Sequence, residues 1–486
     1  MRVLHSVLIG ALASLLFMPL VGRAEDAPKP ATTEQAAVPP LLARPADMQD
    51  APTAIEKQID TIQDAGALAR LAKGFEQKKD WRHQAYALEK LFALRPMQGP
   101  IGYELAAAYA RANNKRMAYD TLIRLQTSGY GFDPSKDERF KNVRGTPVWD
   151  YVLLNLQANL KAFGGGKPGF TLPEGDTLLE SIAYDPARKQ FLVGSVREGS
   201  ILRVDDQGKV QPYISANDQN GLLAVYGLAV DAGRDTLWVI ANGVPHRKAL
   251  PAADYGRALL YRFKLSSGAF EARFETPTAH RPALLSSLAV APDGTPYVAD
   301  GVARRVYRLE EGALRAILEN PRLTSIRGLA FNADGSKLYF ADYDLGLFGV
   351  DLNTGAAFVV QPHANLTLYG IESVYWWNNQ LVVIQNGFPP ARVMRLTLDE
   401  TGTRVKHGQA LDAAKPEFGQ PTQGALVGDE LWFIANSQRG QYDAYGLPRD
   451  ASKIKPVHIY RSDIKFAIDS GKNIVQPAAD PMPAGS

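Results

Sequence analysis

The sequence predicts two folded parts in succession: a small all-α helical-repeat domain, then an all-β propeller of six blades. Three observations carry this. One strand pattern recurs six times after Phe170. Before it, from Ile55 to about Phe163, apolar residues recur at helical spacing. Short segments of biased composition separate these regions from each other and from the N-terminus.

The N-terminus comes first. Arg2 and His5 precede an apolar run from Val7 to Leu20, and Gly22-Arg23-Ala24 supplies small residues around a cleavage point. This predicts a signal peptide over residues 1–24, too short to cross a bilayer as a helix. The 486-residue chain contains no cysteine, which excludes disulfides, thiol nucleophiles, thiolate metal sites and a lipid-anchoring cysteine. A cysteine-free exported chain fits a periplasmic or secreted bacterial protein. The formal net charge is +3, and removal of residues 1–24 leaves 52 basic against 51 acidic residues. Such a chain lacks the electrostatic footprint of a nucleic-acid or anionic-membrane binder. No transmembrane segment is expected in the mature chain. Residues 25–54 are dominated by Ala, Pro and Thr and are expected to form a linker.

The helical domain is expected over 55–163. Leu68, Leu71, Ala72 and Phe75 share one face, as do Leu88, Leu91 and Phe92. Leu105, Ala106, Tyr109, Ala118 and Leu122 follow in a second helical pair. Counted from Gly99, these five fall at positions 7, 8, 11, 20 and 24, a spacing that resembles the tetratricopeptide repeat. A last helix is expected from Pro147 to Leu160. Two repeats and a cap are few for a free-standing solenoid, so the domain is expected to lean on the propeller. The Gly164–Gly169 segment contains GGGK without a following Ser or Thr, and reads as a flexible hinge rather than a phosphate-binding loop.

The propeller is expected over 170–466, with a flexible tail at 467–486. Its channel strands are ESIAYD, YGLAVD, SSLAVA, RGLAFN, ESVYWW and QGALVG, each followed by a turn and two further apolar strands. Successive units start 46, 60, 41, 45 and 51 residues apart, the spacing of propeller blades. The leading residue of each channel strand faces the common axis, which gives a ring of Glu180, Tyr226, Ser286, Arg327, Glu372 and Gln423. Two carboxylates, a guanidinium and three neutral polar groups are not a packing choice; they must be paired, hydrated or bound to a ligand. Asp300, Asp342, Asn386 and Asn436, at the ends of second strands, are expected to hold the turns that follow. Trp376 and Trp377 are expected to pack, one between blades and one nearer the channel.

This blade pattern, with E-x-I-A-Y-D opening the first blade and G-L-A followed by D-G and L-Y-x-A-D in the fourth, resembles the SMP-30/gluconolactonase-like six-bladed propellers. The resemblance spans roughly 169–464. It implies a divalent cation, calcium or zinc, near the top of the channel, and the opening of lactones or related esters. It also implies ligands from the first, fourth and fifth blades: a Glu, an Asn and an Asp, the last also serving as general base. Carried onto this chain, Glu180 matches the first-blade ligand, and Glu372 stands in the place of the fifth-blade Asp as catalytic base and ligand. Arg327 stands where the Asn belongs. A guanidinium cannot ligate a cation, so it either neutralises the two glutamates or clamps an anionic ligand.

Loops on the same face add candidates. Asn242 and His246 lie in the long connection after the second strand of blade two, and His280 and His363 lie in connections into blades three and five. Together with Arg327, Tyr226, Ser286 and Gln423, Asn242 and His246 complete the expected substrate-binding set around the catalytic pair Glu180 and Glu372. The blade-six loop, ANSQRGQYDAYGLPRD, is either a wall or lid over the mouth or a turn-rich loop held by its own side chains. Two functions stay open, beside a third, a lyase or isomerase acting on a sugar acid, that would use the same residues. One is an exported lactone or ester hydrolase assisted by a cation. The other is a non-catalytic binding or assembly protein that holds a small ligand in the channel and a protein or peptide partner on its helical repeats.

Overall fold

The computed structural model describes residues 52–467, apart from 364. The expected signal peptide, nearly all of the linker and the C-terminal tail lie outside the described residues. No helix among the described residues is long and apolar enough to cross a membrane.

Six helices come first: α1 (Ala54–Asp60), α2 (Ala65–Gln77), α3 (Trp81–Leu94), α4 (Gly99–Arg111), α5 (Lys115–Thr127) and α6 (Pro147–Ala158). Their starts follow from capping side chains. Thr53 and Glu56 form a reciprocal capping box at α1, and Asp64, Asp80, Asn114 and Thr146 cap α2, α3, α5 and α6. The small residues expected at the closest helix approach, Ala106 and Ala118, are fully buried, as are Leu105 and Leu122. A run of alanines (Ala106, Ala107, Ala108 and Ala110) without exposed surface lets α4 sit between its neighbours.

Six antiparallel sheets follow in chain order, and the first four are each built of four consecutive strands. The channel strands are Leu179–Asp185, Ala224–Asp231, Leu285–Val290, Ile326–Phe331, Ile371–Trp377 and Gly424–Val427. The ring closes through the chain leaving the helices. Strand β1 (Phe163–Gly164) adds a fifth strand to blade five, pairing Phe163 with Ala413. Strand β2 (Lys167–Leu172) is the outer strand of blade six, with Leu172 opposite Val457. The glycine-rich segment is therefore a sheet seam, not the expected hinge. Gly164 has φ +100, and a Cβ there would stand 2.0 Å from the Leu411 carbonyl oxygen. A Cβ on Gly166 would stand 2.3 Å from Asp412 Oδ2, while its own N–H donates to Asp412 Oδ1 at 2.9 Å. Only glycine allows this approach.

The helices pack on the propeller as expected. Phe388, from a blade-five loop, belongs to the helical core, and its ring lies 4.1 Å from that of Tyr130. Gly131 donates to the Pro389 carbonyl at 3.0 Å, and the Thr367 hydroxyl donates to the Met97 carbonyl at 3.3 Å. Arg392 is buried beneath this junction. It donates to Gln385 Oε1 at 2.7 Å and to the Thr367 carbonyl at 3.2 Å, and lies 3.5 Å from the Phe388 ring centroid. Burial pulls its guanidinium down to about 10. Trp376 stacks on Tyr339 between blades four and five. Trp377 also packs between blades, donating to Asp429 at 3.3 Å, rather than nearer the channel.

Candidate functional site at the channel mouth

The ring residues owe their direction to a repeated defect in strand pairing. In blades one, two, three and five the register slips across the ring residue itself. The flanking pairs are Leu179/Ser181, Val225/Gly227, Leu285/Ser287 and Ile371/Ser373. Glu180, Tyr226, Ser286 and Glu372 are thus bulge residues, released from the alternation of the strand. In blade four the slip follows Arg327, at Gly328, whose φ is +55. There a Cβ would stand 2.6 Å from the Val374 nitrogen of blade five.

These residues resolve into two ion pairs. On one side, Arg327 of blade four donates to Glu372 of blade five at 3.1 Å and to the Ser325 hydroxyl at 3.1 Å. The guanidinium carbon lies 5.8 Å from the centroid of the Tyr343 ring. Burial first, then Glu372, pushes the Tyr343 phenol up, so it stays protonated and donates to Asn386 Oδ1 at 2.8 Å. Beside it, burial pushes the Asp344 carboxyl up against the pull of Thr324, Arg95 and Arg327. Arg95 comes from the loop between α3 and α4, so the helical domain contributes charge to this side.

On the other side, Glu180 accepts from the Ser437 hydroxyl at 2.5 Å and from Arg439 at 3.1 and 3.3 Å. Both partners come from the blade-six loop. Arg439 also reaches the Tyr226 hydroxyl at 3.4 Å and lies over its ring at 5.0 Å. Burial acts to lower the guanidinium, but Tyr226 and Glu180 outweigh it and hold it up. The loop is pinned beyond the site. Tyr442 donates to Asp176 at 2.8 Å, Arg197 donates to Asp176 at 2.8 Å, and Arg197 also reaches the backbone carbonyls of His246 and Gly446. His246 packs edge-on against Tyr442 at 6.2 Å. Burial, then Arg439 and Arg197, hold its imidazole below the ordinary value, so it is neutral at neutral pH.

Three expected ligand contacts take structural roles instead. Asn242 is wholly buried and exchanges both amide bonds with the Leu285 backbone, at 2.8 and 2.9 Å, tying blade two to blade three. The Ser286 hydroxyl donates to backbone carbonyls, at 2.8 Å to Ile326 and 3.2 Å to Ala299. Gln423 spans the channel to donate to the Tyr226 carbonyl at 2.8 Å. His280 pairs with the Tyr307 hydroxyl at 2.9 Å, on the third strand of its blade rather than the channel strand. Asp342 holds the turn that follows it, as expected, and Asp300 does so with one carboxylate oxygen only. Asn436 and Asn386 do not: Asn436 bonds the Pro456 and His458 backbone at the start of the next strand, and Asn386 bonds the Tyr343 hydroxyl and the Pro421 carbonyl. The blade-six loop combines both roles left open for it, since it is self-braced and also lies over Glu180. Tyr343 was not among the sequence candidates. It directly follows the repeated Asp of the second strand, a position that carried no chemical signal.

This donor set does not suit a divalent cation. Among the described residues no three His, Asp or Glu side chains converge. Glu180 is taken by a hydroxyl and a guanidinium, and Glu372 faces a guanidinium. A cation placed at either glutamate would meet a fixed positive charge. The calcium or zinc site with Glu180 and Glu372 as ligands is thus not formed by these side chains.

A cavity of about 540 Å³ opens where the helices meet blades five and six, lined by Pro100 and Leu160 on one side and residues 386–391 and 414–419 on the other.

No family model matches this chain, and no curated protein matches it. Solved structures similar to it include regucalcin, a calcium-binding protein from Agrobacterium tumefaciens, at 15% identity over 61% of this chain and 95% of that one, with a TM-score of 0.42. A putative gluconolactonase is 17% identical over 63% of this chain and 95% of that one, with a TM-score of 0.40. The PQQ-bound form of an aldose sugar dehydrogenase from Streptomyces coelicolor is 16% identical over 62% of this chain and 99% of that one, also with a TM-score of 0.40.

Proposed function

We propose that the channel mouth binds a small organic anion, a carboxylate, without help from a metal ion. The observation that supports this is the pairing of both channel glutamates with arginines that keep exposed surface. The Arg327 and Arg439 side chains are 35% and 39% exposed, against 16% for Glu372 and 7% for Glu180. Each pair is close to neutral; Arg439 spends all three nitrogens on Glu180 and Tyr226, whereas Arg327 gives one donor each to Ser325 and Glu372 and keeps N–H groups for a further carboxylate. Tyr226 and Tyr343 supply flanking aromatic surface, and neutral His246 lies beside Arg439. The test is calorimetric titration with monocarboxylates and sugar acids in buffer containing a chelator. Binding weakened at least tenfold by Arg327→Met supports the reading; no binding in chelator, restored by calcium or zinc, contradicts it.

A second reading is the opening of lactones or esters. Its support is the adjacency of Glu372 and Arg327, a carboxylate placed to take a proton from water beside a guanidinium placed to stabilise an oxyanion. Turnover of a lactone and aryl-ester panel in chelator, abolished by Glu372→Gln, would carry it. Turnover unchanged by that substitution would remove it.

The helical pairs, with small residues at the closest approach, are proposed as a tetratricopeptide-like surface for a protein or peptide partner. Export to the periplasm or medium is proposed from residues 1–24, and N-terminal sequencing of the secreted protein tests it.

A further inference from the structure

The two ion pairs at the mouth are spent to different degrees. Glu180 gives one oxygen to Ser437 and the other to Arg439, whose three nitrogens all have partners. The Arg327–Glu372 pair is joined by a single bond, from Nη1 to Oε1 at 3.1 Å. Arg327 Nε donates to the Ser325 hydroxyl, so its Nη2 has no partner among the described residues, and neither has Glu372 Oε2. Both side chains keep contact with solvent. The strand side therefore presents an unspent cationic donor beside an unspent anionic acceptor. A second carboxyl adds to the negative half. The turn after Asp342 holds Asp344, whose N–H donates to Asp342 Oδ1 at 3.1 Å, and burial pushes its carboxyl up against the pull of Thr324, Arg95 and Arg327. The Tyr343 ring, 5.8 Å from the guanidinium carbon, meets the Tyr369 ring edge-on at 6.0 Å. Gly370 fixes this corner by donating to the Tyr343 carbonyl at 2.8 Å.

We infer that the strand side takes a zwitterion: an α-amino acid whose carboxylate bonds Arg327 and whose ammonium bonds Glu372. This rests on the carboxylate reading of the mouth and adds the class of ligand to it. In an α-amino acid the two charges are carried by substituents of one carbon, and the Arg327 and Glu372 side chains touch, so the two pairs match charge for charge. A plain carboxylate gains the guanidinium but comes to lie against Glu372, a like charge. A plain amine gains the carboxylate but meets Arg327. The zwitterion avoids both repulsions and brings no net charge to a pair that is already neutral. The Tyr343–Tyr369 corner supplies an aromatic wall for the side chain of the amino acid.

The test uses the full mature chain in chelator and three ligands with the same alkyl chain: α-aminooctanoate, octanoate, which lacks the ammonium, and heptylamine, which lacks the carboxylate. Calorimetric titration should give α-aminooctanoate an affinity about tenfold or more above that of octanoate, with heptylamine the weakest. Glu372→Gln keeps an acceptor for Arg327 and removes the charge. It should lower α-aminooctanoate affinity about tenfold and strengthen octanoate binding. The ligand series in the unmodified protein decides the question even where the variant fails to fold. Octanoate binding as tightly as its amino derivative would overturn the inference while leaving the anion site standing. Failure of all three to bind, or heptylamine matching α-aminooctanoate, would overturn both. α-Aminooctanoate affinity untouched by Glu372→Gln would overturn the assignment of the ammonium to that residue.

Discussion

The two arginine–glutamate pairs at the channel mouth are alike in chemistry and differ in what holds them. Arg327 and Glu372 stand on neighbouring channel strands, so the scaffold itself sets their distance. Glu180 also stands on a channel strand, but its partners Ser437 and Arg439 are delivered by a loop pinned through Tyr442 and Arg197 to blade one. In a six-bladed ring, blades one and four face each other, so the pairs occupy opposite sides of the mouth. Burial differs with support. Glu180 is nearly enclosed, whereas Glu372 keeps contact with solvent. The loop side is thus a structural clasp that also carries a cation, and the strand side is a preformed anchor with little structural duty.

Removing each arginine in turn should break this symmetry. Arg439→Met leaves an enclosed carboxylate with a hydroxyl partner only, and should lower unfolding free energy by about 3 kcal/mol in urea titrations. Arg327→Met removes a partner from a carboxylate that keeps some solvent contact and should cost less, about 1–2 kcal/mol. Equal losses in the two variants would contradict the division of labour. For ligand affinity the order should reverse in clarity: Arg327→Met leaves a folded protein that has lost its anchor, measurable by calorimetry as at least a tenfold loss.

Acid should act first on the loop side. The folded protein holds His246 below its ordinary value, so below about pH 6.5 the unfolded chain takes up a proton that the folded chain resists. Stability contributed by this site is present above that pH and lost as pH falls. His246→Gln should flatten the decline of Tm between pH 7 and 5. An unchanged slope would mean that the imidazole is not what senses pH there.

The smallest expected effect lies in the blades beneath. Asp342 of blade four receives the Thr324 hydroxyl at 2.6 Å and two backbone N–H groups on its other oxygen. Asp300, its counterpart in blade three, has one buried oxygen with no partner, and burial pushes its carboxyl up. Ala283 occupies the position of Thr324. Ala283→Thr should therefore raise stability by about 0.5–1 kcal/mol at neutral pH, and no gain would mean that the oxygen is satisfied by solvent.

Blade order, ring positions and helix pairing were legible in the sequence because each rests on periodicity: six copies of one strand pattern, and small residues at fixed helical spacing. The ring residues Glu180, Tyr226, Arg327 and Glu372 came out of that repeat, and they form two separate groups: Arg327 with Glu372, and Glu180 and Tyr226 around Arg439. What the repeat could not show were partners outside it. Arg439 and Ser437 reach Glu180 across more than 250 positions from a loop with no blade pattern. Ser286 and Asn242 carry polar groups suited to a ligand, but neighbouring backbone satisfies them, and backbone demand leaves no mark on residue type. The glycine run at 164–166 has the composition of a linker, and only the close approach of Leu411 and Asp412 reveals it as a seam. The expected cation site failed on the charge placed beside its carboxylates, where Arg327 pairs with Glu372 and Arg439 with Glu180.

The central claim is that arginine, not a metal ion, supplies the positive charge at this mouth. Its most direct test is calorimetric titration of octanoate into the metal-stripped protein and its Arg327→Met variant. The account predicts binding to the stripped protein, unchanged by added calcium or zinc and weakened at least tenfold in the variant. Binding that appears only with a divalent cation, or that survives the loss of Arg327, would contradict it.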